Sequence, residues 1–101
     1  MFIYNITIKI DNEIVQQWLQ WQREVHIPEI MATNLFRDNK IYKLLEHDDI
    51  NNSTYILQFF ADTKENYNKY INEYAPALRE KSLEKWRDNL IAFRTLMQSV
   101  H

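Results

Sequence analysis

The sequence predicts an α+β domain whose elements run strand, helix, strand, strand, helix, strand. Three observations carry this expectation. Phe2, Tyr4, Ile6, Ile8 and Ile10 alternate strictly, the period of a half-buried strand. Bulky residues from Ile14 to Val25, and again from Tyr67 to Trp86, fall instead at helical steps. Alternating segments lie between and after these two stretches. The order βαββαβ is the ferredoxin-like plan, a four-stranded antiparallel sheet with its helices on one face. The other face of such a sheet must meet water, a partner or a ligand.

Each element has its own signals. The first strand is expected from Phe2 to Ile10. Asp11 can cap the following helix, and Glu13 adds negative charge near the positive end of its dipole. Ile14, Trp18, Trp21 and Val25 are read as that helix's buried face. Pro28 has no amide hydrogen and would clash with the Glu24 carbonyl, so a kink or break is expected there, with the helix ending by Thr33-Asn34. The second strand is irregular, about Phe36 to Glu46, and the third is clearer, Thr54 to Ala61. Asn51-Asn52 suggests a hairpin between them. Asp62-Thr63-Lys64-Glu65 reads as a capping box for a helix whose face is Tyr67, Tyr70, Ile71 and Tyr74. Pro76 opens a further helical segment carrying Leu78, Leu83 and Trp86. The last strand is placed from Leu90 to Ser99.

At 101 residues the chain is read as one ferredoxin-like domain, residues 1–101, with enough apolar content (46%) to build one core. A net charge of -2 provides no field to hold nucleic acid or an anionic membrane, so neither is expected as a partner. Without cysteine there is no disulfide, thiol catalysis or thiolate metal site. The first residues read as a strand rather than a signal peptide, and no apolar run approaches membrane-spanning length. A cytoplasmic location is expected. Glycine is absent, so turns that need positive φ are expected to use Asn or Asp, Asn34 among them.

Three constellations could carry chemistry. The open sheet face mixes Ile3, Asn5, Thr7, Ile56, Gln58 and Phe60, which is too apolar for a solvated face. It suits homodimerisation, sheet against sheet, and also a ligand cavity between sheets. The second is Trp18, Trp21 and His26 beside Pro28. His26 could act as a general base near neutral pH, or brace the helix bend; the tryptophans suit a core or an aromatic box. The third is Arg94, a charge within the apolar strand segment Ala92-Phe93-Arg94-Thr95. Its guanidinium could pair with a carboxylate of this chain or of another subunit, which is the expectation adopted here, or hold a ligand carboxylate or phosphate. Asn5 and His26 are therefore the catalytic candidates, and Arg94, Trp18, Trp21 and Gln58 the ligand-binding candidates. His26, His47 and His101 show no metal-ligand spacing, and no phosphate loop or nucleophile elbow is present, so neither metal nor cofactor is expected. The charges of Arg79, Glu80, Lys81, Glu84, Lys85 and Arg87 read as a solvated helix face.

Several of these segments together are familiar. Ile3-Tyr4-Asn5-Ile6-Thr7, Trp18 to Trp21, Glu24 to Thr33 with its His-Ile-Pro element, Tyr74 to Arg79, and Ala92-Phe93-Arg94-Thr95 resemble the small bacterial family known as domain of unknown function 4286, over nearly the whole chain. That family typically has Gly where this chain has Asn34. The resemblance implies a ferredoxin-like fold and no assigned activity. A wider similarity is to dimeric α/β-barrel proteins, which include antibiotic-biosynthesis-type monooxygenases and haem-degrading enzymes. Asn5 with a Trp-plus-His set is reminiscent of the haem-degrading branch, but Trp18, Trp21 and His26 all fall on the first helix and do not match its pattern. The functional expectation is a homodimeric small-molecule-binding or interaction module. The alternative is a cofactor-independent, monooxygenase-like enzyme, which requires His26, Asn5 and Arg94 to converge on one cavity.

Overall fold

A computed structural model describes residues 1–100. Its strands are β1 (Phe2–Asp11), β2 (Asp38–Leu44), β3 (Asn52–Ala61) and β4 (Leu90–Gln98). They form one antiparallel sheet in the order β2-β3-β1-β4, which is the ferredoxin-like topology. The first helical layer runs through a 3-10 turn (Asn12–Ile14), α1 (Val15–Trp21), a π-helical turn (Gln22–His26) and α2 (Ile27–Met31). The second comprises α3 (Lys64–Lys69), another π-helical turn (Tyr70–Tyr74) and α4 (Ala75–Trp86). No helix among the described residues is long and apolar enough to cross a membrane.

Alternation on β1 works as its sequence implies. Tyr4, Ile6, Ile8 and Ile10 are buried under the helices, opposite Phe59, Leu57, Tyr55 and Ser53 of β3. An aromatic cluster of Tyr4, Phe36, Phe59 and Tyr70 fills one end of this core, with ring centroids 5.0 to 6.3 Å apart. Trp18 fills the other end, fully buried against Tyr55.

Proline acts differently from the expected kink. Each helical layer carries a π turn that ends two residues before its proline, Pro28 or Pro76. At the first turn the Ile27 amide donates to the Gln22 carbonyl; at the second the Ala75 amide donates to the Tyr70 carbonyl. These wider i→i+5 closures let the helix continue past a residue that has no amide hydrogen. They also reset which residues face the sheet. In an α-helix a step of four overshoots one turn by roughly 40°. The π turn absorbs that drift, so Trp18, Gln22, His26 and Ile30 all stay buried. Val25, expected on the buried face, is 40% exposed instead. Tyr74 is likewise turned outward, and Leu83 is exposed.

Several boundaries differ from expectation, each for a local reason. Leu35 and Phe36 are buried but precede β2, which runs only from Asp38 to Leu44. β2 and β3 form the expected antiparallel hairpin, closed by the longer loop of residues 45–51. Asp49 shapes it by accepting from the Asn51 and Asn52 amides at 2.8 and 2.7 Å. Asp11 does cap the first helical turn, accepting from the Glu13 amide. Thr63 caps α3 by accepting from the Asn66 amide, so the reciprocal glutamate of a capping box is not used. Asp62 pairs with Arg37 at 3.0 Å. Asn34 adopts φ 61° as expected, but Glu46 (66°) and Arg87 (50°) also take positive φ.

Two stability outcomes follow. Trp18→Ala should lower unfolding free energy by about 3–5 kcal/mol in denaturant titrations, the cost of removing a fully buried aromatic. A loss below about 1 kcal/mol would contradict its core role. Arg87 sits at φ 50° and ψ -124°, a region close to glycine-only. Relief of that strain outweighs glycine's added unfolded-state entropy, so Arg87→Gly should raise stability by about 1 kcal/mol. A thermal melt that moves down would refute this.

Candidate functional site

A cavity of about 210 Å³ lies between the sheet and the helices. Its apolar wall comes from alternate residues of the strands and from the buried helix faces: Ile6 and Ile8, Leu57, Leu90 and Ala92, Ile30 and Leu78. Its polar lining is unusual for a core. Gln22 and His26 reach it from the first π turn, and Tyr70 from the second. Arg79 and Ser82 come from α4, Arg87 from the turn that follows, and Arg94 from β4.

Sheet register explains why Arg94 is there. Arg94 stands opposite Ile6, a core-facing residue, so it shares the helix-covered face. A carboxylate of its own chain does not meet it: none of the chain's ion pairs among the described residues includes Arg94. Arg79 donates from Nη2 to the Tyr4 hydroxyl at 3.0 Å, while its buried Nε has no partner. Gln22 and His26 are only 2% and 8% exposed, yet Gln22 Oε1 and His26 Nδ1 also lack hydrogen-bond partners. Buried polar atoms are normally satisfied; the indole nitrogens of Trp18 and Trp86, which do not line the cavity, lack partners too, and Gln22, His26 and Arg79 are the lining residues that carry such atoms.

His26 is held neutral. Burial is the main cause, with the nearby Arg94 and Lys81 charges acting in the same direction against Glu29, and its pKa is pushed down to about 4. Trp21 stacks on the imidazole with ring centroids 4.5 Å apart and planes 16° apart, and Trp86 meets Trp21 edge-on. Burial likewise pushes the Tyr70 hydroxyl well above the ordinary tyrosine range, so it remains a protonated donor.

The sequence-based candidates divide. His26 and Arg94 share the cavity. Trp18 is core and Trp21 braces His26; neither lines the cavity. Asn5 and Gln58 do not join it, because they face the opposite side of the sheet and bond each other at 3.2 Å. Four polar lining residues, Gln22, Arg79, Ser82 and Arg87, are not among the sequence-based candidates. Arg79 and Arg87 were placed on a solvated face, and Gln22 was overlooked because apolar spacing alone was followed. The four-residue steps from Trp18 to Gln22 to His26 would have found it.

The fold defines a ferredoxin-like α+β protein with a cavity between its sheet and helices. The family described as "Domain of unknown function (DUF4286)" matches residues 1–100, and the chain belongs to it. No curated protein matches the chain. Among solved structures, a dimeric ferredoxin-like protein from an uncultured marine organism is similar, with 16% identity and a TM-score of 0.71, covering 100% of this chain and 96% of that one. A protein provisionally described as an antibiotic biosynthesis monooxygenase from Deinococcus radiodurans superposes with a TM-score of 0.69 at 11% identity, covering 100% and 94%. An ethyl tert-butyl ether family protein from Bacillus halodurans gives 0.67 at 12%, covering 99% and 100%. At such identities the likeness is one of fold.

The neutral state of His26 has a pH signature. Its folded pKa lies below the unfolded value of 6.5, so the unfolded chain binds more protons between the two. Its contribution is fully present above pH 6.5 and lost as pH falls towards 4, by up to about 3 kcal/mol. Urea unfolding at pH 7 and pH 4.5 should show a larger drop for the native chain than for His26→Gln. Equal drops would show that the imidazole is not desolvated.

Proposed function

We propose that this protein is a homodimer that binds a small molecule in the cavity between its sheet and helices. The observation that carries the binding half is the pair of unbonded polar groups, Gln22 Oε1 and His26 Nδ1, on residues more than nine-tenths buried along one cavity. A ligand that bonds them would recover the cost of their desolvation.

The dimer half rests on the open sheet face. By register, Asp38, Phe60, Ile3 and Met97 form one row across it, and Tyr42, Ile56, Thr7 and Phe93 another. Between them runs a polar row of Lys40, Gln58, Asn5 and Thr95. Phe93 is 63% exposed, and Tyr42 and Met97 are also exposed. Two mainly apolar rows, the first ending in Asp38 at the β2 edge, around a hydrogen-bonded centre suit a self-complementary contact. Similar solved structures described as dimeric ferredoxin-like proteins support this reading.

A second reading, a cofactor-independent monooxygenase-like enzyme, draws on one observation. A neutral imidazole on a residue that lines a cavity is competent as a general base. The convergence this reading requires is incomplete, since His26 and Arg94 line the cavity while Asn5 lies across the sheet, so it ranks second.

Native mass spectrometry at micromolar concentration tests the proposal. The expected result is a dimer mass carrying an additional small mass that is released on unfolding. Ile56→Asp should leave a folded monomer. A clean monomer that binds no hydrophobic dye would overturn the dimer, and a ligand-free cavity across a broad metabolite panel would overturn the binding role.

A further inference from the structure

Resting on the reading of the cavity as a small-molecule site, we propose that its occupant is a compact organic anion, a carboxylate or phosphate monoester, whose apolar body is about the size of one aromatic ring. Three features of the cavity point to this.

The first is charge. Arg79, Arg87 and Arg94 come from α4, the turn after it and β4, and all line the same cavity. No Asp or Glu lines it, and none of the three arginines belongs to an ion pair among the described residues. Glu29, the acid that His26 senses, is taken by Lys81 at 2.6 Å. The chain has 14 acidic residues against 12 Lys and Arg, so carboxylates are plentiful elsewhere. Surface cations on this protein do find them, as Lys9, Arg37, Lys43, Lys69 and Lys81 show. Three guanidiniums gathered without a counter-charge form a site for an anion supplied from outside. The planar fork of arginine matches the oxygens of carboxylate and phosphate alike.

The second feature is unused bonding capacity on residues that line the cavity. The buried Nε of Arg79 has no partner, although its Nη2 is fixed by the Tyr4 hydroxyl. A guanidinium anchored on one side with a free donor is preorganised to bond a bound oxygen. Gln22 and His26 add hydrogen-bonding groups for a second polar atom on the ligand.

The third feature is size and lining. An engineered apolar cavity of about 150 Å³ accommodates benzene. At about 210 Å³, this one accepts a slightly larger body. Ile6, Ile8, Ile30, Leu57 and Leu78 give that body an apolar bed, so a bare inorganic ion would leave most of the wall unmatched.

The test uses the full chain and four probes with one ring in common. Phenylacetate and phenyl phosphate carry the charge; phenylacetamide and 2-phenylethanol do not. In calorimetric titrations at low salt, the anions should bind at least about tenfold more tightly than the neutral pair, the scale of one charge-assisted hydrogen bond. Added salt should weaken the anions and leave the neutral probes unchanged. Arg94→Gln should remove about tenfold of anion affinity without affecting the neutral probes, and Arg94→Lys should restore part of it. Arg87→Gln, at another exposed position, is the second variant should the first unfold. Equal affinity for charged and neutral probes would overturn the anion assignment while leaving a small-molecule site in place. Anion-selective binding that survives both glutamine variants and Arg79→Gln would put the anion elsewhere and overturn the assignment too. No binding by any probe at millimolar concentration would overturn this proposal; the small-molecule reading falls only if the broad metabolite panel also leaves the cavity empty.

Discussion

Proline within a helix is the constraint on which this architecture depends. Each helical layer must cross the sheet, and each has a residue that cannot donate a backbone hydrogen bond. Breaking either helix would leave its second half without a bed on the sheet. The chain instead widens one turn ahead of Pro28 and one ahead of Pro76. The adjustment is local, but its effect is positional. It selects Gln22, His26 and Tyr70, rather than Val25 and Tyr74, to look towards the strands. Rare backbone turns of this kind often accompany functional sites. Here both supply side chains to one cavity.

That cavity combines features that a folding core avoids. Buried amides and imidazoles without partners cost stability, and so do gathered like charges. The aromatic cluster around Tyr4, Phe36, Phe59 and Tyr70, with Trp18 at the far end, offsets that cost with dense apolar packing. The neutrality of His26 belongs to the same arrangement. Its imidazole is stacked on Trp21, shielded from water and close to cations, so a proton would find no compensation there.

How far the sequence could be read depended on whether period or geometry decided each point. Strict alternation in Phe2 to Ile10 located β1 and its buried face, because a strand's two-residue period tolerates no ambiguity. The βαββαβ order then fixed the topology. Helix faces were harder. Val25 sits where an ideal helix would bury it, and only the π turn moves it outward. Arg94 could be singled out because a charge inside an apolar strand is conspicuous. Arg79 and Arg87 could not, since they lie among Glu80, Lys81, Glu84 and Lys85 in a segment of ordinary helical surface charge. Asn5 and Gln58 were legible as a face but not as neighbours, because their contact depends on the β1–β3 register.

Strand β4 hydrogen-bonds to only one neighbour, β1, and it serves two environments at once. Leu90, Ala92 and Arg94 look into the cavity; Ile91, Phe93 and Met97 look out from the open face. The strand is thus a two-sided ruler whose single setting is its alignment along β1. A slip of one residue would carry Phe93 inward and Arg94 outward, exchanging the cationic and aromatic sets. Because one backbone holds both, a tilt or shift of this margin is felt on both sides of the sheet, and whatever steadies one side steadies the other.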